Sequence, residues 1–220
     1  MKKLYAVLML LAIVTAPTVA DWSPVDGHKM HYPQEPKLGG WDVEFVMTRL
    51  GDDWQCSETG PVTDVHIWIS WMDDLVQFVP EVTISIYSDF ADPDGPGPLY
   101  SQPDVLLWER VFDNTEISLQ LMDPDLQGWY DPSIDDFGLD NHQAWQQLNI
   151  MEIETPFVQT QGEIYWLVVD FGTLPFVGWK ESGSPHFNDD AVWWNDPLQQ
   201  WDELISPTTG SSLDLAFVIT

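Results

Sequence analysis

The feature that most constrains this fold is a set of short segments in which apolar and polar residues alternate. Thr63–Trp71 places an apolar side chain at every second position, and Glu81–Ser88 does the same. A period of two predicts a strand with one buried face, whereas no segment shows sustained helical periodicity with caps. Further strands are predicted at Val105–Phe112, Glu116–Leu121, Trp145–Ile153, Glu163–Phe171 and Leu213–Ile219. Because turns rich in Asp, Pro and Gly separate them, we expect an all-β, antiparallel, jelly-roll-like sandwich.

Two connections between the predicted strands are unusually long, from Asp123 to Asn141 and from Pro175 to Thr209. Both are rich in Trp, Asp and Pro. Connections of this length in a compact domain usually carry function or cover one face of a sheet. The sequence therefore predicts two long Trp/Asp-rich loops on the sandwich.

The first forty residues differ from the rest of the chain. Lys2 and Lys3 precede an apolar run, and small residues end at Ala20, which predicts a signal peptide over residues 1–20. Residues 21–40 hold three prolines and a Gly-Gly pair, typical of an extended arm, and residues 41–220 then form one sandwich domain. We expect an exported protein, extracellular or at the cell surface with the periplasm as the alternative, and no membrane insertion after signal cleavage.

Composition restricts the partners of the chain. It carries 36 Asp and Glu against 7 Lys and Arg, a formal net charge of −29. Such a surface repels nucleic-acid phosphates and anionic lipids, so nucleic-acid binding is not expected. Cys56 is the only cysteine, so no intramolecular disulfide can form, and we expect a buried, unreactive thiol. Aromatic packing, for which the sequence supplies 13 Trp, must provide much of the stability.

Acidic loops offer the candidate metal ligands. Asp89, Asp92 and Asp94 cluster in one predicted loop, and Asp189 and Asp190 lie in another. Calcium prefers carboxylate oxygens presented by turns, so calcium is the cofactor that these loops predict. The alternative, which we favour, is a solvated loop, since neighbouring carboxylates arise by chance in so acidic a chain.

Aromatic residues offer the candidate ligand-binding surface. Trp68 and Tyr87 lie opposite the aliphatic face of their predicted strands, and Trp145 and Trp166 are expected near them. Exposed together, these four rings would form a flat platform for stacking on sugar rings. The alternative, which we favour, is that the long loops cover these rings and bury them as a second core.

Three further charged residues, on predicted strands and in the second long connection, are candidates for other roles. Glu109 and Glu163 are the first acids to inspect for glycoside hydrolysis, which needs two converging carboxylates. Lys180 is flanked by Trp179 and an acid, and we expect it to hold the acidic loop by pairing with Asp189 or Asp190 while its stem packs on Trp. No nucleophile-elbow motif or phosphate loop is present.

Several stretches together resemble an uncharacterised family of secreted bacterial domains, a domain of unknown function. The matching stretches are His28–Gln34, Gly40–Phe45, Asp52–Trp71, Ile84–Asp89, Gly128–Pro132, Gly162–Leu167, Gly178–Ser182, Asn188–Trp193 and Ser212–Thr220. The resemblance implies an extracellular β-sandwich of the kind found in multidomain surface proteins, and it implies no known activity.

The sequence as a whole favours a non-catalytic extracellular binding or structural module. Carbohydrate is the ligand class to test first, and the expected partner is an extracellular glycan or a surface protein. Two alternatives stay open: a glycan-active hydrolase using paired carboxylates, and a calcium-stabilised adhesion or assembly subunit with an exposed edge strand. The sequence leaves the oligomeric state open.

Overall fold

The structure, a computed structural model, describes residues 22–45, 48–91 and 100–220. The predicted signal peptide lies outside these residues. The described residues form β-strands and one short 3₁₀ turn at Met72–Asp74, and none of their helices is long and apolar enough to span a membrane. The strands are β1 Trp41–Glu44, β2 Leu50–Gln55, β3 Gly60–Pro61, β4 Val65–Trp71, β5 Glu81–Phe90, β6 Gln102–Asp113, β7 Ile117–Leu121, β8 Gln127–Asp131, β9 Asp136–His142, β10 Trp145–Ile150, β11 Val158–Gln159, β12 Ile164–Asp170, β13 Val177–Lys180, β14 Val192–Asn195, β15 Gln200–Glu203 and β16 Phe217–Ile219.

Two sheets pack face to face, which confirms the predicted all-β sandwich. The first has eight strands in the order β7-β10-β4-β13-β1-β8-β9, with β16 also pairing with β4. The second has six strands in the order β15-β14-β2-β12-β5-β6, and β3 and β11 form a small separate ribbon. The core between the sheets is strongly aromatic: Trp54, Trp71, Trp179 and Phe217 are all fully buried.

The alternation in β4 and β5 is as predicted, but the outer face of β4 is buried as well. Val65, Ile67 and Ile69 face the core, while Trp68 lies on the opposite face with only 3 % exposure. The N-terminal arm covers it, since the Trp22 ring meets the Trp68 ring edge-on at 6.0 Å. The arm therefore packs on the domain and covers this part of β4.

The sequence-based topology needs two corrections. The sandwich is mixed rather than purely antiparallel, because β1 and β8 pair in parallel, with Trp41 beside Gly128. The two long connections are also not open loops. The first contains the β8–β9 pair, and the second contains β13, β14 and β15, which join the edges and the middle of the sheets. These strands are short or interrupted by Asp and Gly, so the sequence alternation does not reveal them.

A second, smaller apolar cluster lies on the outer face of the six-stranded sheet. Leu167 and Val169 of β12 point into the main core, whereas Trp166 and Val168 point the other way. They pack with Val192 and Trp201, under the partly buried rings of Tyr87, Tyr100 and Trp194. The aromatic residues of this outer face thus come from both sides of β2, on β14 and β15 and on β12 and β5.

Candidate functional site

An open cavity of about 390 Å³ lies on the outer face of the six-stranded sheet, at the edge of the second apolar cluster. We call it the aromatic cleft. It combines three aromatic rings with one guanidinium, one carboxylate, three amides and a proline. Its lining residues are Arg49, Tyr87, Gln102, Pro103, Asp104, Trp194, Gln199, Gln200 and Trp201.

A β-hairpin presents the two indoles of the cleft. Strands β14 and β15 pair antiparallel with Trp194 directly opposite Trp201, and the two rings meet edge-to-face at 5.3 Å. The hairpin turn is tied down because Asp196 accepts hydrogen bonds from the Trp194 indole at 2.9 Å and from Gln199 at 2.7 Å. Trp201 is nearly buried and Trp194 is half-buried, so Trp194 is the ring more available to a ligand.

Arg49 completes this wall of the cleft. Its guanidinium carbon lies 4.8 Å from the Trp194 ring centroid and 5.5 Å from that of Trp201, within cation–π range. No carboxylate within the described ranges forms an ion pair with it. The stacked guanidinium stiffens the indole and keeps planar N–H donors beside the cleft.

A second polar feature, the acidic cluster, lies where β2 approaches the segment before β16. Asp52 and Asp53 are fully buried, and Asp214 is 6 % exposed. Burial raises the pKa of Asp52 and of Asp53 well above the ordinary value, and it raises the pKa of Asp214 to about 6. The Oδ1 atom of Asp53 is buried without a hydrogen-bond partner among the described residues.

The predicted calcium ligands are only partly placed. Asp92 and Asp94 lie outside the described residues. Asp89 accepts a hydrogen bond from the Trp166 indole at 2.9 Å, and Asp189 accepts one from the Ser101 amide at 2.9 Å. Within residues 22–45, 48–91 and 100–220, no three His, Cys, Asp or Glu side chains are arranged to hold a metal ion. Calcium binding by Asp89, Asp189 and Asp190 stays a prediction.

The four predicted platform residues do not share one surface. Trp68 and Trp145 belong to the eight-stranded sheet and Tyr87 and Trp166 to the six-stranded sheet. Trp68, Trp145 and Trp166 are at most 4 % exposed, because the arm, neighbouring strands and the β14–β15 hairpin cover them.

Only Tyr87 of the four lies in the aromatic cleft. The cleft residues that sequence reasoning missed are Arg49, Trp194 and Trp201. The Trp–Trp pair could have been found from the turn signal Asn195–Gln199 between them.

Lys180 does not hold the acidic loop, so that prediction was wrong. It is fully buried and points away from Asp189 and Asp190, with its ammonium donating to Gln127 and lying 4.0 Å from an Asp42 oxygen. Its Nζ lies 5.1 Å from the Trp145 ring centroid, so the ammonium contacts a tryptophan, whereas the prediction concerned the aliphatic stem. Lys180 points to the outer face of the eight-stranded sheet because its neighbour Trp179 fills the core.

The carboxylates proposed for hydrolysis are exposed and lie outside the aromatic cleft. Glu109 is on β6, where it accepts a hydrogen bond from Ser85 at 2.9 Å, and Glu163 directly precedes β12. Asp104 is the one carboxylate among the described residues that line the cleft. Glycoside hydrolysis requires two converging carboxylates, one of which is the general acid. The described lining of the cleft does not provide such a pair.

Comparison with known proteins gives a family and no function. No curated protein and no solved structure matches the chain. Residues 30–220, which include every strand of both sheets, match a family that is described only as a domain of unknown function. The chain therefore belongs to the DUF7901 family, a domain of unknown function.

Proposed function

We propose that this protein is a non-catalytic module that binds neutral glycans in the aromatic cleft, outside the cytoplasm. The observation that carries the proposal is the Trp194–Trp201 pair beside Tyr87, which lines an open cleft on the outer face of the six-stranded sheet. Sugar rings present flat C–H faces that stack on aromatic rings, while their hydroxyl groups need directed donors and acceptors. Gln102, Gln199 and other polar residues at the rim supply these groups.

Charge favours a neutral ligand over an acidic one. The net charge of −29 repels anionic polysaccharides over long range, and Asp104 adds a local negative charge to the cleft. Arg49 supplies one positive group, already stacked on the Trp194 ring. We therefore infer that neutral oligosaccharides bind better than uronic-acid or sulfated ones.

A larger cavity, of about 520 Å³, lies between the N-terminal arm and one end of the eight-stranded sheet. It presents one indole, Trp22, among the carboxylates of Asp26, Glu58 and Asp64. Its one indole lies on the arm, whereas Asp64, His66 and Thr220 line the other side. The aromatic cleft is the better glycan site because its rings stand on paired strands.

The test is a glycan array followed by calorimetric titration of the best neutral oligosaccharide. Trp194→Ala and Tyr87→Ala should each weaken binding about tenfold or more, since loss of a stacking ring removes about 1.4 kcal/mol. Phe78→Ala is the matched control, because Phe78 is 69 % exposed and lies outside the cleft. Equal affinity of all three variants and the unaltered protein, or no binding to any neutral glycan, would contradict the proposal.

The exposed edge of the six-stranded sheet supports a second candidate, a role in assembly. Strand β6 lies at this edge and leaves Val105, Leu106, Leu107 and Val111 between 44 % and 56 % exposed. Unpaired edge strands with apolar side chains are sites of strand addition. Concentration-dependent association that is abolished by Val105→Lys with Leu107→Lys would support this role, and a monomer at every concentration would contradict it.

A further inference from the structure

A polar site that is shielded from solvent lies on the outer face of the eight-stranded sheet. Three neighbouring strands each contribute one side chain to it. Lys180 of β13 lies directly opposite Asp42 of β1, and Gln127 begins β8 on the other side of β1. All three residues have 0 % exposure, and the adjacent His142 has 1 %. A lysine, an amide and a carboxylate are thus held together without access to bulk water.

The Lys180 amine is poorly compensated as an ammonium ion. Its one hydrogen bond to a described residue goes to Oε1 of Gln127. The Asp42 oxygen nearest to it lies 4.0 Å away and is already paired with His142 Nε2 at 2.7 Å. An ammonium ion has three N–H donors and is costly to bury unless they are satisfied. Burial lowers the pKa of Lys180, although the charges of Asp42, Asp125 and Glu181 oppose this shift, and the lower pKa makes it easier to remove a proton from the amine.

We propose that Lys180 and Gln127 form an intramolecular isopeptide bond. The Lys180 Nζ lone pair attacks Cδ of Gln127, a C–N bond forms, and the bond from Cδ to Nε2 breaks. The product is a secondary amide between the two side chains, and one molecule of ammonia leaves. No oxidant or other reactant is needed, because an amine and a primary amide together contain all the atoms of the products.

Asp42 is the group positioned to transfer a proton from Lys180 Nζ to the departing Nε2 of Gln127. The attacking nitrogen must lose a proton, and the departing Nε2 must gain one to leave as ammonia. The Asp42 carboxylate lies between the two strands that carry the reactants, and its Oδ1 atom is buried with no hydrogen-bond partner among the described residues. Gln127 Nε2 donates to the Asp125 carbonyl oxygen at 3.1 Å, which fixes the orientation of the amide.

The bond would give this domain the covalent staple that its sequence otherwise lacks. Cys56 is a free thiol, so no disulfide links the strands. An amide between Lys180 and Gln127 would tie β13 to β8 across β1, at the one parallel pair described in the sheet. Burial would protect it from hydrolysis because water is excluded.

Trypsin and mass spectrometry test the bond directly on the full chain. Lys180 is the last Lys or Arg in the sequence, and Arg110 is the one before it. If the bond forms, trypsin cannot cleave at Lys180 even after denaturation. We then expect the single peptide 111–220, about 17 Da lighter than its sequence because ammonia is lost. Processing of the N-terminus does not affect this peptide.

Three variants control the experiment. Gln127→Ala should yield the separate peptides 111–180 and 181–220 with the masses that the variant's sequence gives, which excludes slow cleavage at Lys180 as the cause. Asp42→Asn should show a reduced linked fraction. Lys37→Arg should leave the mass deficit unchanged, since Lys37 pairs with Glu181 and is 49 % exposed.

The unaltered protein decides the question even if a variant fails to fold. Complete cleavage after Lys180 with the sequence mass would overturn the proposal. Peptide 111–220 cross-linked to peptide 38–49, about 18 Da lighter than the two sequences together, would also overturn it, because a Lys180–Asp42 bond forms by loss of water from a carboxylic acid. Fragment ions that join Lys180 to Gln127 with the 17 Da deficit would establish the bond.

Discussion

The stability of this protein should fall as the pH rises through the acid range, and Asp214 provides a measurable part of that effect. Its Oδ1 lies 2.8 Å from His186 Nδ1, and its Oδ2 accepts a hydrogen bond from the Phe187 amide at 3.1 Å. Burial is the largest influence and raises its pKa from the ordinary 3.8 to about 6, although these contacts and the charge of His186 oppose the rise. The folded state therefore binds this proton more tightly than the unfolded state does.

The sign and size follow from proton linkage. Because the pKa is raised on folding, the stabilisation is complete below about pH 4 and is lost as the pH rises past about 6. A difference of about two pKa units corresponds to about 3 kcal/mol in the free energy of unfolding. Roughly 2 kcal/mol of this loss falls between about pH 4.5 and about pH 7.5.

Urea unfolding at a series of pH values measures this loss. Asp214→Asn removes the titrating group but can still accept from Phe187 and donate to His186. Its free energy of unfolding should fall by about 2 kcal/mol less than that of the unaltered protein over this pH range. Asp136→Asn removes an exposed carboxylate from β9 and should leave the pH dependence nearly unchanged. Parallel curves for Asp214→Asn and the unaltered protein would refute the reasoning.

Three further predictions concern other parts of the chain. Cys56 is 1 % exposed and burial raises the pKa of its thiol, so a thiol reagent should label it only in denaturant, and rapid native labelling would contradict this. Calcium at a hundredfold excess over its dissociation constant should stabilise the fold by about 2.7 kcal/mol, and the double variant Asp89→Asn with Asp189→Asn should lose this stabilisation. An equal stabilisation by magnesium at the same ionic strength would indicate charge screening alone. Gln127→Ala should lower the free energy of unfolding by about 4 kcal/mol, because the proposed staple closes a loop of 53 residues; a change below about 1 kcal/mol would argue against the staple.

Sequence periodicity predicted the long strands well and the short ones poorly. Strands β4 and β5 carry uninterrupted alternation because one face of each lies in the main core. Strand β9 reads Asp-Phe-Gly-Leu-Asp-Asn-His, whose residues favour turns, and β13 is only four residues long. Neighbouring strands hold such segments in place, and that stabilisation leaves no trace in a local pattern.

The pairing of distant segments was also beyond local reasoning. Strand β1 pairs in parallel with β8, more than 80 residues away, and the sequence of neither segment indicates the partner. The same limit applies to the candidate sites. Arg49 reaches Trp194 only because β14 adds to the edge of β2, and Lys180 meets Asp42 only because β13 pairs with β1. Residue type predicted aromatic and charged sites, whereas strand pairing decided which residues form them.

The most direct test of the proposed glycan site is NMR of the tryptophan indole N–H groups during titration with a neutral oligosaccharide. Each of the 13 Trp in the sequence contributes one such signal, assignable by Trp→Phe substitution. We predict that the signals of Trp194 and Trp201 shift with ligand, while those of Trp54 and Trp179, buried in the main core, stay in place. Shifts confined to Trp22, at the arm cavity, or no shift with any neutral oligosaccharide would contradict glycan binding in the aromatic cleft.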